Sequence, residues 1–269
     1  MFRQKTLDFL AENRRQNSHQ WFHDHKSEYH AYVLEPLKAL VEYLAPQALA
    51  IDDQVVSLPR VDKTICRIWR DTRYSHDKSL YRENMWIIFR RFRMHEPGWP
   101  GLYFELSPDG FSYGCGFYKA VPGFMDTVRE MILQKDPLFL SALAAFEGQS
   151  LFCLHGERFK RPRFAEQPEN PREWLNRRNL TFTAQSAELS QLFSRELPEK
   201  VRQGYEQLAP IYAFLLEASQ KTQQKRPFSL FMKAAENNSS FKTVRVGFAL
   251  RKRGVATHKC PRRAERKSL

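Results

Sequence analysis

The sequence contains no apolar run that approaches the roughly 20 residues needed to cross a lipid bilayer. Its first residues lack the apolar core of a secretory signal peptide. Only four cysteines occur in 269 residues, and no two of them form a Cys-x-x-Cys pair. The cysteine pattern therefore predicts neither a disulfide framework nor a zinc site. Together these absences predict a cytoplasmic protein that does not bind membranes.

The sequence also lacks the short motifs of several large enzyme classes. It has no P-loop, no dinucleotide-binding fingerprint, no Gly-x-Ser-x-Gly and no His-Glu-x-x-His. No cofactor and no metal are therefore predicted, no catalytic residue is assigned, and the sequence leaves open whether the protein is an enzyme. His19 and His23 lie four residues apart, a spacing that can hold a metal. A solvated helix face is the preferred interpretation of this pair.

Acidic residues are nearly absent from the C-terminal end of the chain. Residues 221–269 contain 14 Lys and Arg but only two acids, which accounts for +12 of the net charge of +13. Residues 1–220 contain 29 bases and 28 acids, so this part is nearly neutral. The pattern predicts a single domain over residues 1–220 and a basic tail over residues 221–269. The tail is predicted to be disordered or to be sequence appended by a genetic accident.

The hydrophobic periodicity predicts an α+β fold. Residues 85–93 are apolar on both faces at their start, as in a buried central strand, and residues 102–117 form a hairpin around Pro108. Helical patterns precede these strands, and two closing helices are predicted over residues 184–197 and 198–218. The order predicts an antiparallel sheet, with central hairpins over about residues 62–118, packed against N-terminal and C-terminal helices.

The region between the first helices and the central strand carries the densest charge of the neutral body. Two acids, Asp71 and Asp77, occur there among five bases: Arg67, Arg70, Arg73, Lys78 and Arg82. The planar guanidinium of arginine binds phosphate or carboxylate through two parallel hydrogen bonds. Because two carboxylates neutralise only two of the five bases, three cations are left without a local partner.

The first functional hypothesis is that the loop over residues 70–81 binds an anionic small molecule, either phosphorylated or carboxylated. In this hypothesis the two aspartates orient the guanidinium groups and a later arginine points back toward the loop. The candidate ligand-binding residues are Arg70, Asp71, Arg73, Asp77, Lys78, Tyr81 and Arg129.

Several alternatives stay open at this point. The loop could be a structural clasp, in which its own ion pairs satisfy its backbone, within a structural or partner-binding protein. Asp71 and Asp77 could also hold a divalent cation, although the surrounding bases disfavour this. A third alternative is weak, non-specific binding of nucleic acid through the basic tail. The oligomeric state is not predicted.

Residues 70–81 read Arg-Asp-Thr-Arg-Tyr-Ser-His-Asp-Lys-Ser-Leu-Tyr. This stretch resembles the central signature of the family known as domain of unknown function 2461. Asn17 with Trp21 resembles the N-terminal positions of that family, and Gly116 followed by Arg129 resembles its glycine-rich strand and later arginine. Leu80 stands where the family often has proline. The resemblance covers about residues 1–220 and implies a shared fold, but it implies no reaction.

Overall fold

The fold combines helices at both ends of the chain with one sheet between them, which confirms the α+β prediction. The computed structural model describes residues 1–73, 75–92, 97–117, 120–121 and 123–225. Most of the predicted tail, residues 226–269, lies outside the described residues. Within the described ranges, no helix is both long enough and apolar enough to span a membrane.

The N-terminal part of the chain is almost entirely helical. A π-helical turn, Tyr29–Leu34, joins the short helices to the longer one that follows. The helices are α1 (Gln4–Gln16), α2 (His19–Asp24), α3 (Lys26–Glu28) and α4 (Glu35–Ile51).

The corner between α1 and α2 is built by Asn17 and Ser18. Asn17 ends α1 in the left-handed region at φ 49°. Ser18 caps α2, and its side chain accepts a hydrogen bond from the Trp21 amide at 3.3 Å. Both asparagine and serine cap helix N-termini, but asparagine also tolerates the left-handed conformation that ends a helix.

The sheet has five antiparallel strands in the order β1-β2-β3-β5-β4. They are β1 (Met85–Arg90), β2 (Gly101–Ser107), β3 (Gly110–Gly116), β4 (Cys153–His155) and β5 (Thr181–Ser186). The predicted hairpin is confirmed as β2 and β3, which turn between Ser107 and Gly110. The chain therefore leaves the sheet after β3, adds β4 at the far edge, and only then inserts β5 between them.

Strand β5 replaces the start of the helix predicted over residues 184–197, so this prediction was wrong at its start, and the helix that does form is confined to residues 189–193. Thr183 pairs with Gly114, and a Cβ atom added to Gly114 would lie 1.9 Å from the carbonyl oxygen of Phe182. The glycine face of β3 thus receives the backbone of β5.

The C-terminal half of the chain supplies the remaining helices. The segment between β4 and β5 contains α7. The last helix passes the predicted domain boundary at Gln220, and buried Thr222 donates a hydrogen bond to the carbonyl of Ala218. The helices are α5 (Phe124–Leu133), α6 (Pro137–Glu147), α7 (Glu169–Leu175), α8 (Leu189–Phe193) and α9 (Leu197–Gln224).

A buried ion pair ties α4, the end of β1 and α9 together. The side chain of Asp52 is fully buried, and it accepts hydrogen bonds from Arg91 Nε at 2.8 Å and from the Tyr212 hydroxyl at 2.8 Å. Burial alone would raise the pKa of the Asp52 carboxyl. Hydrogen bonds from Arg91, Gln54 and Tyr212 outweigh burial and hold its pKa below the usual value.

Candidate functional site

The central loop, residues 70–81, is closed at its base by backbone pairing. Trp69 and Tyr81 form an isolated antiparallel bridge. On either side of this bridge, the Arg70 amide donates to the Leu80 carbonyl at 2.7 Å, and the Arg82 amide donates to the Ile68 carbonyl at 2.9 Å. The two ends of the loop are therefore held together by backbone hydrogen bonds.

An aromatic cluster beneath the loop fixes this base against α2. The Trp69 and Tyr81 rings lie 4.5 Å apart, and Phe22 lies 5.2 Å from Tyr81. His19 stacks on Trp69 at 5.1 Å. The structure thus brings α2 and the base of the central loop together. Tyr81 is completely buried, and its hydroxyl donates to the Ser18 carbonyl at 3.4 Å.

The loop carries two separate ion pairs. Arg70 pairs with Asp77, whose carboxylate also accepts from the Ser79 amide at 3.0 Å. Arg73 binds Asp71 through two nitrogens, at 3.0 and 2.9 Å. Each aspartate therefore binds a guanidinium and a backbone amide, since Asp71 also accepts from the Arg73 amide. This arrangement stiffens the loop.

Helix α1 adds an arginine that sequence reasoning missed. Arg14 donates through Nη2 to Oδ2 of Asp77 at 2.5 Å and through Nη1 to the Tyr81 carbonyl at 2.8 Å. Asn17 accepts from the Leu80 amide at 2.6 Å. Arg14 lies in the last turn of α1, where a base complements the helix dipole, so its sequence position gave no sign of a partner 63 residues away.

Both loop carboxylates are held in the charged form. The pKa of Asp77 lies well below its usual value, first because the Ser79 hydroxyl donates to it and then because Arg70 does. The pKa of Asp71 is lowered mainly by its hydrogen bonds with Arg73. At neutral pH the loop and Arg14 therefore carry four cations against two carboxylates. Among the described residues, Lys78 donates to the Thr72 carbonyl at 2.9 Å.

Arg129 is not brought to the central loop. Its Nη2 donates to the Arg177 carbonyl at 2.9 Å, and its Nε donates to the Leu175 carbonyl at 3.2 Å. Arg177 in turn donates to the Leu154 carbonyl in β4, at one edge of the sheet. The loop adjoins β1 at the other edge, and four strand spacings of about 4.8 Å separate the two edges. Arg129 therefore belongs to a different surface.

A buried carboxyl lies just beyond the loop, on β2. Glu105 is 9% exposed and accepts a hydrogen bond from Asn84 Nδ2 at 2.5 Å. Burial raises the pKa of Glu105, while Asn84 and the positive charge of Arg82 act in the opposite direction. The alternating pattern of the hairpin predicted a strand here, but it did not predict that this acid would be buried.

Glu105→Gln is expected to raise the free energy of unfolding by about 1–2 kcal/mol at pH 8, because a buried charge is removed and the acceptor for Asn84 is kept. In wild type, the raised pKa of Glu105 means that its carboxyl lowers the stability of the fold once the pH exceeds the pKa of the unfolded state. In acid this carboxyl is protonated, so the advantage of Glu105→Gln over wild type should disappear. Urea denaturation between pH 4 and pH 8 measures this. Exposed Glu28 provides the control, and Glu28→Gln should stay within about 0.5 kcal/mol of wild type. A loss of stability at pH 8 in Glu105→Gln would contradict the expectation.

The comparison with protein families decides where this chain belongs. The model of the family described as "Conserved hypothetical protein (DUF2461)" matches residues 5–214. The chain belongs to the DUF2461 family. This match includes the α1–α2 corner, the central loop and the whole sheet, so the features above lie within the family domain. A comparison with curated proteins finds no match, and neither does a comparison with solved structures.

Proposed function

We propose that the protein binds a small anion, through a phosphoryl or carboxylate group, where the central loop meets α1. The main support is that two guanidinium groups share one acceptor. Arg14 and Arg70 both donate to the same oxygen of Asp77. One carboxylate neutralises only one of these two charges, so this site keeps an unbalanced positive charge.

The unbalanced charge is reachable from solvent. The side chains of Arg14 and Arg70 are 23% and 21% exposed, and that of Asp77 is 45% exposed. Lys78 is exposed and binds a backbone carbonyl, so it adds a second unbalanced charge to the loop. An anion that reaches this surface would meet charges that are fixed in place by hydrogen bonds, which lowers the entropic cost of binding.

The proposal gives the predicted ligand-binding residues different roles. Arg70 and Lys78 would contact the anion together with Arg14, while Asp77 holds the two arginines in position. The Asp71–Arg73 pair is balanced in charge and would shape the loop. Tyr81 anchors the loop from the core, and Arg129 takes no part in the proposed site.

A phosphate titration followed by thermal denaturation tests the proposal on the full chain. At a phosphate concentration ten times Kd, the expected stabilisation is about 1.4 kcal/mol, which corresponds to a rise in Tm of about 3–6 °C. Lys78→Gln should reduce this rise while keeping the Tm without phosphate, because surface changes usually stay within about 0.5 kcal/mol. Arg70→Gln should abolish the rise.

Arg15→Gln is the matched control, because exposed Arg15 follows Arg14 in α1 but pairs with Glu12. It should keep the full response to phosphate. Wild-type protein that shows no rise in Tm at high phosphate would overturn the proposal. So would an equal response from Lys78→Gln and Arg15→Gln.

The structural clasp is the second candidate, and the contacts across the α1 corner favour it. Arg14 and Asn17 hold Tyr81 and Leu80 from another element. Under this alternative, Arg70→Gln would lower the Tm without phosphate, and phosphate would leave the Tm of both proteins unchanged. The same titration therefore separates the two roles.

A further inference from the structure

A second basic surface surrounds Phe159, at the sheet edge opposite the central loop. Three guanidinium groups lie close to the Phe159 ring: Arg163 at 4.1 Å, Arg129 at 5.0 Å and Arg178 at 5.5 Å from its centroid. The aromatic face holds these planar cations by cation–π attraction. We call this group the Phe159 cluster.

The segment that carries Phe159 adds cations without carboxylate partners. Lys160, Arg161 and Arg163 are exposed, and none of the three forms an ion pair with a described carboxylate. By contrast, Arg158 pairs with Glu173 at 2.6 Å. Positive charge is therefore concentrated on one short, irregular segment between β4 and α7.

Carboxylates already neutralise part of this surface. Arg129 pairs with Asp126 at 3.0 Å, and Arg178 pairs with Glu157 at 3.2 Å. Burial lowers the pKa of Arg129 against the opposing effect of Asp126. The exposed cations of residues 160–163 therefore carry the positive charge that a polyanion would meet.

We propose that the Phe159 cluster and residues 160–163 bind the phosphodiester backbone of a nucleic acid. The Arg163 guanidinium is exposed and held on the Phe159 ring, so it presents its donors in a fixed orientation that suits the bidentate recognition of phosphate. Residues 158–163 contain four exposed cations and no acid, a composition typical of nucleic-acid interfaces. Interfaces with proteins are instead depleted of charge at their centres.

This surface is independent of the proposed anion site, because the two lie at opposite edges of the sheet. It also differs from the basic tail, since residues 160–163 belong to the nearly neutral body. The net charge of residues 1–220 gave no sign of this surface, because acids elsewhere in that part of the chain balance these cations. Single-stranded RNA and duplex DNA both carry the phosphodiester groups that this surface would bind.

The test measures binding of the full chain to a fluorescent 20-nucleotide RNA and to a duplex DNA of equal length, over a range of salt concentrations. The variant combines Lys160→Gln, Arg161→Gln and Arg163→Gln. For RNA, the slope of log K against log salt should fall by about 2, because each lost phosphate contact on a single strand contributes about 0.7. The affinity of the variant should fall at least about tenfold at low salt.

The control combines Arg15→Gln, Lys38→Gln and Lys200→Gln, which removes the same charge from other surfaces. It should keep the wild-type slope, and it accounts for any binding by the basic tail. Equal slopes for the two triple variants, on RNA and on DNA, would refute the proposal. A polyglutamate peptide is the third probe. If it displaces RNA at equal charge concentration, the partner is an acidic protein segment and the nucleic-acid assignment fails.

Discussion

Arg91→Met is expected to lower the free energy of unfolding by about 3–5 kcal/mol, because it leaves the charge of Asp52 buried without its partner. The Asp52 side chain is fully buried and Arg91 is only 11% exposed, so water cannot replace the lost guanidinium. Tyr212 and the Gln54 amide would remain as donors to Asp52, but neither carries a charge. For a protein of this size, the loss corresponds to a fall in Tm of about 6–20 °C.

The pH dependence gives this prediction a second readout. The pKa of Asp52 is lowered in the folded protein, so its ion pair contributes stability above the usual carboxyl pKa and loses it as pH falls. The difference between wild type and Arg91→Met should therefore shrink in acid. Urea denaturation at pH 7 and at about pH 2.5, below the usual carboxyl pKa, measures both values.

A double variant provides the control for the buried pair. Asp52→Asn combined with Arg91→Met removes both charges and keeps an acceptor for the Tyr212 hydroxyl. It should be more stable than Arg91→Met alone, because no charge is left buried. A double variant that is less stable than the single one would show that lost packing, and not the stranded charge, explains the effect.

Gly114→Ala is expected to cost about 3 kcal/mol or more, and it could prevent folding altogether. The new methyl carbon would lie 1.9 Å from the Phe182 carbonyl oxygen, which belongs to the backbone of β5. A side chain could rotate away, but a backbone carbonyl within a sheet cannot move without separating β3 from β5. Thermal denaturation of the purified variant, or its recovery in the soluble fraction, measures the effect.

Gly148→Ala is the matched control for this prediction. Gly148 ends α6 with φ −76°, a conformation open to any residue, and the nearest atom to an added Cβ is 3.3 Å away. The change should stay within about 1 kcal/mol of wild type. Similar stabilities for the two variants would mean that β3 and β5 do not approach as closely as the structure shows.

The elements predicted correctly from the sequence are those with strong local patterns. The β2–β3 hairpin, for example, alternates cleanly around a Pro-Asp-Gly turn. Strand β5 was missed because its apolar content is low. Only Phe182 and Ala184 are buried, and the partners that make it a strand are distant in sequence.

The sequence predicted which charged residues of the loop belong to the candidate site, but it did not predict how all of them pair. The sequence placed Arg70, Asp77 and Lys78 in one loop, and local spacing made the pairing of the first two plausible. Nothing in the sequence indicated that Arg14 would share Asp77 with Arg70. Arg129 was expected to point back toward the loop, but its guanidinium donates to the Arg177 carbonyl, and Arg177 contacts β4 at the opposite edge of the sheet.

The insertion of β5 between β3 and β4 has a consequence for synthesis on the ribosome. Strand β3 ends at Gly116, and β5 ends 70 residues later at Ser186. At about 5–20 residues per second, β3 therefore emerges about 4–14 s before its second neighbour has been made. During this interval the nascent chain presents an unpaired strand edge, to which another chain can add. Slower translation between residues 117 and 186 should thus increase aggregation of newly made protein more than slower translation elsewhere.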